Sequence, residues 1–208
     1  MINIKVSGIT DLKQLKQLDG LDIEFAGLDF YKESPYYIKG KLNAIDVKHS
    51  DFDIKKVGVF FNAGFDEISQ IVEDYTLDVV QLNGEESPQL CEQLCETFEV
   101  IKLFNIDSSV KSIEQLIEDY DEVCDYYLFA AASEDGDPSG QFDWKILNKA
   151  KIEKPFFLGG GIGPADGKKV KGFKHPDFYG VDISTEFEKS TGVKDMVGIL
   201  QFKQSLKS

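Results

Sequence analysis

Residues 56–82 read KVGVFFNAGFDEISQIVEDYTLDVVQL, and this stretch decides the fold class. Lys56–Phe61 is a short run that is apolar on both sides, the pattern of a strand buried on both faces. Phe65–Tyr75 then sets Ile68, Ile71 and Val72 on one face at helical spacing. Asp78–Leu82 returns to a short apolar run. Strand, helix and strand in such short compass predict a βαβ unit with parallel pairing.

Working outward, the same unit recurs. Ile2–Val6 precedes a helical pattern over Asp11–Leu18, and Ile23–Phe30 precedes a loop, Tyr31–Tyr37, with a weakly patterned stretch to His49. Ser87–Thr97 opens with Ser-Pro, an N-cap followed by proline in the first turn. Val100–Phe104 leads to Ser109–Tyr120, and Tyr126–Phe129 leads through a polar loop to Asp143–Lys149. Phe156–Leu158 leads through Gly159–Gly163 to Pro164–Gly172, and Phe178–Ile183 is followed by a closing helix, Lys194–Lys207. Eight such units in 208 residues give about 26 residues each, close to one strand, one helix and two short loops. A flavodoxin-like sheet needs only about five units. The expectation is an α/β protein, a single (β/α)8 TIM-barrel domain over residues 1–208.

Composition narrows the partners. The chain holds 23 cationic residues against 37 Asp and Glu, a net charge of −14, and every cation is lysine. Such a chain is a poor ligand for nucleic acid, and without arginine it has no bidentate clamp for carboxylate or phosphate. The three cysteines, Cys91, Cys95 and Cys124, match no disulfide framework. The N-terminus lacks a signal-peptide pattern, and no apolar run is long enough to span a bilayer. A cytoplasmic protein with reduced thiols and no membrane partner is expected.

In such a barrel the site lies at the C-terminal ends of the strands. The top-face positions are then Ser7-Gly8, Asp29 to Tyr37, Asn62, Asn83-Gly84, Asn105, Ala130 to Gln141, Gly159 to Gly163 and Asp182 to Thr185. The glycines after strand seven and Ser184-Thr185 after strand eight suit a phosphate, because glycine lets backbone N–H groups approach an anion closely. The plainer reading of the glycines is a tight strand-to-helix turn. His49 and His175 fall on the opposite face and read as structural. Cys91 and Cys95, four apart on one helix, read as core rather than metal ligands. Tyr36-Tyr37 suits either an aromatic ligand or a strand end. Glu134, Asp135 and Asp137 form a carboxylate cluster overhanging the site, and Trp144 reads as a helix anchor.

Several separated motifs resemble one family in its own order. Lys5-Val-Ser-Gly-Ile-Thr10, Val80-Gln-Leu-Asn-Gly84, Phe142-Asp-Trp144, Gly159-Gly-Gly-Ile-Gly163, Gly180-Val-Asp-Ile-Ser-Thr185 and Gly192-Val-Lys-Asp195 resemble phosphoribosylanthranilate isomerase across the whole chain. The resemblance implies a (βα)8 barrel and an Amadori rearrangement in tryptophan biosynthesis, run without metal or cofactor. It also implies a cysteine base at the end of strand one and an aspartate acid at the end of strand six. Here those slots hold Ser7 and Ala130, and neither histidine is placed to activate the serine. The resemblance further places Tyr36 where the family carries arginine and Asn83 where it carries histidine. The loop before Phe142 is rewritten.

By the same resemblance Asp182 contacts the substrate's amino group, Tyr36, Gln81 and Asn83 bind substrate, and Gly160, Gly161, Ser184 and Thr185 bind phosphate. Two readings follow. One is an isomerase with substituted acid and base, in which Glu134, Asp135 or Asp137 supplies the acid. The other is an inactive relative that binds a phosphorylated sugar or aryl compound. Either is expected as a monomer or homodimer.

Overall fold

The computed structural model describes residues 2–131 and 142–207. Eight strands follow in chain order: β1 (Asn3–Val6), β2 (Phe25–Asp29), β3 (Lys55–Phe60), β4 (Val79–Leu82), β5 (Glu99–Ile106), β6 (Tyr126–Ala131), β7 (Phe156–Leu158) and β8 (Phe178–Ile183). Each pairs in parallel with the next, and β1 pairs with β8, so the sheet closes into a barrel. The register aligns Lys5 with Asp182 across the β1–β8 seam and Asp29 with Val59 across β2–β3.

Side-chain alternation sorts the strands into two cores. Phe25, Val57, Val79, Ile101, Leu128 and Phe157 point inward and fill the lower barrel. Their neighbours, among them Ile4, Val6, Ala26, Leu28, Val80, Leu82 and Phe129, point outward under the helices. Two residues further along the inward face lie Gly27, Val59, Gln81, Leu103, Ala130 and Gly159, with Asp29 two beyond Gly27. The packed interior thus stops one layer below the strand ends, and a cavity begins there.

The outer helices are α1 (Leu12–Asp19), α2 (Ala44–Lys48), α3 (Phe65–Tyr75), α4 (Pro88–Cys95), α5 (Ile113–Ile117), α6 (Gly167–Gly172) and α7 (Met196–Lys207). Their starts have local causes. Asp11 accepts from the Gln14 amide at the head of α1, Ser87 caps α4 just before its proline, and Asp66 and Glu67 complement the dipole of α3.

Three sequence expectations change. The helix expected over Asp143–Lys149 is a single 3-10 turn, Trp144–Ile146. Trp144 still anchors it, buried against Phe173 and 4.0 Å from Lys169 Nζ. The segment after β8 is a 3-10 turn, Thr185–Phe187, followed by a hairpin of β9 (Glu188–Ser190) and β10 (Val193–Lys194). Lys194 therefore belongs to a strand, and the last helix starts at Met196. Ser109–Tyr120 shortens to α5 and one 3-10 turn, Glu118–Tyr120. The carboxylates Glu134, Asp135 and Asp137 lie outside the described residues.

Candidate active site at the C-terminal ends of the strands

A cavity of about 150 Å3 opens at the C-terminal ends of the strands. The ten residues to which the family resemblance gives a role all line it: Ser7, Tyr36, Gln81, Asn83, Ala130, Gly160, Gly161, Asp182, Ser184 and Thr185. His49 and His175 do not. His175 lies in the connection before β8, where its Nδ1 accepts from the Asp177 amide and its Nε2 lies 3.1 Å from the Ala150 carbonyl.

Ser7 is not isolated. Its hydroxyl donates to Asp182 Oδ1 at 2.7 Å and accepts from Lys5 Nζ. Lys5 is fully buried and completes the ring by donating to Asp182 Oδ2 at 2.9 Å. Neither histidine reaches the serine, but a carboxylate that the sequence analysis did not connect to it does. The carboxylate comes from strand eight, 175 residues away, and meets Ser7 only because the barrel closes. Gly27 on β2 makes the space, since a Cβ there would lie 2.8 Å from Ser7 Oγ. A carboxylate accepting a serine proton beside an ammonium is the arrangement of an activated hydroxyl. Desolvating an unpaired lysine is costly, and the Asp182 partner offsets that cost.

Asp29 ends β2 in the same cavity. Its Oδ1 accepts from the Tyr31 amide at 2.9 Å and its Oδ2 from Ser34 Oγ at 2.6 Å. Burial pushes this carboxyl above the ordinary carboxylate range, against the Ser34 and Tyr31 hydrogen bonds and the Lys5 charge, which pull it down. Two carboxyls thus stand on either side of β1 in unlike settings: Asp182 is ion-paired and Asp29 is held by neutral donors.

The far side of the cavity is nearly apolar. Ala130 is buried, and Leu103 and Leu128 lie below it. A Cβ on Gly159 would stand 3.7 Å from the Ala130 methyl and 3.6 Å from Asp182 Cβ, so those two side chains face each other across a glycine. Gln81 donates to Asn83 Oδ1 at 2.8 Å, and its own carbonyl oxygen is buried without a partner among the described residues. That oxygen is an acceptor ready for a ligand hydroxyl or N–H.

Tyr36 is held in place. Its hydroxyl donates to Glu188 Oε2 at 3.1 Å, its ring lies 5.3 Å from Lys194 Nζ, and it packs over Gly8. Gly8 has φ of +77°, a conformation open to glycine. Lys194, buried, donates to Glu188 Oε1 at 2.6 Å, and burial holds its ammonium below the ordinary lysine range.

At the glycine-rich turn Gly160 and Gly161 both have positive φ, and Ser184 and Thr185 stand across from them. A carboxylate stands at this corner. Glu186 lines the cavity near Gly163, whose amide already donates to Asp166 Oδ2 at 2.8 Å. Sequence reasoning missed Lys5 and Glu186 as site residues, and it placed Asp29 on the top face without giving it a role. A charged residue at an inward strand position was the available signal for Lys5 and Asp29.

The cysteines sit in the wall. Cys91 and Cys124 are buried, and burial raises all three thiols, Cys91 to about 11 and Cys95 to about 12. None lines the cavity.

Comparison with known proteins gives one answer. Residues 4–205 match the family model described as N-(5'phosphoribosyl)anthranilate (PRA) isomerase. An N-(5'-phosphoribosyl)anthranilate isomerase from Parabacteroides distasonis is 34% identical over 98% of this chain and 92% of its own. One from Nostoc punctiforme is 33% identical over 100% of this chain and 99% of its own. The crystal structure of the Thermotoga maritima enzyme superposes with a TM-score of 0.82 at 27% identity, covering 100% of this chain and 99% of that one. A phosphoribosyl anthranilate isomerase bound to reduced 1-(o-carboxyphenylamino)-1-deoxyribulose 5-phosphate superposes at 0.80 with 26% identity, covering 100% and 99%. With a barrel of this order and a matching model over nearly its full length, the chain belongs to the phosphoribosylanthranilate isomerase family of tryptophan biosynthesis.

Proposed function

We propose that this protein isomerises N-(5'-phosphoribosyl)anthranilate, with the Ser7–Asp182 pair acting where a thiolate would. The observation that carries the reading is the 2.7 Å hydrogen bond from Ser7 Oγ to Asp182 Oδ1, with Lys5 against both. Opening of the furanose leaves an iminium, and the base must then take the proton from the adjacent sugar carbon. Ser7 hands its own proton to Asp182 as it accepts that one, and the Lys5 ammonium steadies the charge on the oxygen. No cofactor enters these steps.

The sugar phosphate lies at Gly160, Gly161, Ser184 and Thr185, where positive-φ glycines turn backbone N–H groups toward an anion. The aryl ring lies toward Tyr36, with Gln81 and Asn83 contacting the sugar hydroxyls. The ligand is a small phosphorylated compound, and the chain works as one barrel, monomer or homodimer, in the cytoplasm.

A second reading has one observation in its favour. Ala130 offers a methyl group where the family resemblance implies an acid, and a methyl group donates no proton. On that reading the barrel binds a phosphorylated sugar or aryl ligand without turnover. The test is growth: expression in a bacterium lacking its own isomerase should restore growth without tryptophan. Well-folded, well-expressed protein that fails to restore growth and shows no turnover in vitro would select the second reading.

A further inference from the structure

The arrangement of Ser7, Asp182 and Asp29 on three adjacent strands, β8, β1 and β2, leaves one carboxyl without a task. We infer that Asp29 is the proton donor for ring opening, so that acid and base stand side by side rather than across the barrel. The inference rests on the isomerase reading.

Asp29 occupies the same inward row as Phe25 and Gly27, and Gly27 abuts Ser7, so Asp29 stands one step above the serine at the cavity mouth. It lies in the field of Lys5 but, among the described residues, its carboxyl bonds to a hydroxyl and an amide, while Asp182 takes the Lys5 ammonium directly. Asp182 holds the lysine and accepts from the serine while Asp29 does neither, so the two carboxyls divide into a proton acceptor and a proton donor. Burial favours the protonated form of Asp29, which is the donor's form. The opposite wall offers no competitor among the described residues lining it: Leu103, Leu128 and Ala130 carry no proton to give.

The step balances. The Asp29 carboxyl protonates the furanose ring oxygen, the bond from the anomeric carbon to that oxygen breaks, and the nitrogen lone pair forms the iminium. Ser7–Asp182 then removes the proton on the neighbouring carbon, and that electron pair neutralises the iminium to give an enolamine. Its tautomerisation to the ketone moves one proton from oxygen to the former anomeric carbon. The proton held by Ser7–Asp182 passes out through water while water-borne hydronium returns one to Asp29, so both groups regain their starting states.

The test is steady-state isomerisation of N-(5'-phosphoribosyl)anthranilate against pH by the wild type, Asp29→Asn and Asp29→Glu. Asp29→Asn should lower kcat by about 100-fold or more with KM within a few-fold, the size expected for a lost general acid. The alkaline limb of the wild-type profile should vanish with it. Asp29→Glu, which keeps the carboxyl, should recover much of the rate and the limb. An Asn variant within three-fold of the wild type, or a folded Glu variant as slow as the Asn variant, would overturn the assignment and leave the isomerase reading standing. A wild type without turnover would overturn the isomerase reading and the assignment together.

Discussion

The two walls of the cavity differ in kind. On the β8–β1–β2 side, Asp182, Ser7 and Lys5 form a connected polar set in which Lys5 and Ser7 are each hydrogen-bonded more than once, and Asp29 stands beside it on Tyr31 and Ser34. On the β5–β6 side, Leu103, Leu128 and Ala130 form an apolar wall with one lone acceptor nearby, Gln81 Oε1. A polar set inside a barrel persists only when its members satisfy one another. The difference teaches that proton-handling groups gather on one wall, where a buried lysine is committed to the Ser7–Asp182 pair, while the facing wall carries none among the described residues.

Breaking the polar wall should have the largest effect. Lys5→Met leaves the Asp182 carboxylate enclosed without its cation, and removing one partner of a buried pair costs about 3–5 kcal/mol. Urea unfolding should show that loss, whereas Lys5→Met combined with Asp182→Leu should recover most of it. A single variant as stable as the wild type would mean that the pair is not a closed unit.

Rebuilding the apolar wall comes next. Ala130→Asp together with Ser7→Cys restores the acid and base that the family resemblance implies, and each contributes about 10²–10⁴-fold where it operates. The pair should raise kcat/KM more than the product of the single changes, because acid and base act as a unit. Ala130→Asp alone also brings a second carboxylate close to Asp182 across Gly159, which limits its gain. A double variant no faster than the wild type would place the block elsewhere.

A steric probe is smaller. Gly27→Ala puts a methyl 2.8 Å from Ser7 Oγ and 3.1 Å from Ser7 Cα, so the serine must move. Overpacking of this kind costs about 1–3 kcal/mol. The loss of turnover should exceed what the stability change accounts for.

Asp29 also predicts a pH dependence of stability. Its folded-state carboxyl is raised above the ordinary value of 3.8, so the native state binds a proton more tightly than the unfolded chain. That contribution is complete below 3.8 and is lost as pH rises through the folded-state value. The stability of Asp29→Asn relative to wild type should therefore increase from pH 4 upward and then level off. A constant difference across that range would contradict the raised carboxyl.

The smallest effect concerns the phosphate corner. Glu186 is solvent-exposed, so its repulsion of a bound phosphate is screened and worth about 1 kcal/mol or less. Glu186→Gln should tighten phosphosugar binding a few-fold in calorimetry, with the gain fading as salt is added.

Much of this was legible in the residues. Helix α3 runs Phe65–Tyr75, as its apolar spacing implies, and β7 and β8 match their apolar runs at both ends. Local periodicity suffices there because one face is buried throughout. The β9–β10 hairpin was not legible, since Glu188–Ser190 is polar on both faces and its pairing is fixed by Glu188 and Lys194 meeting Tyr36 from another loop. The partner of Ser7 was hidden for a different reason. Serine, lysine and aspartate lie at the two ends of the chain, and only barrel closure makes them neighbours. Asp29 was placed on the top face but given no role, because nothing local in the sequence shows its burial or its distance from Ser7.

The central claim is that Ser7 and Asp182 act as one base. It is tested most directly by single-turnover isomerisation with the wild type, Ser7→Ala, Asp182→Asn and the double variant. Each single change should slow the proton-removal step by about 10²–10⁴-fold, and the double variant should be no slower than the worse single. A Ser7→Ala variant at wild-type rate, or single effects that multiply in the double variant, would contradict it.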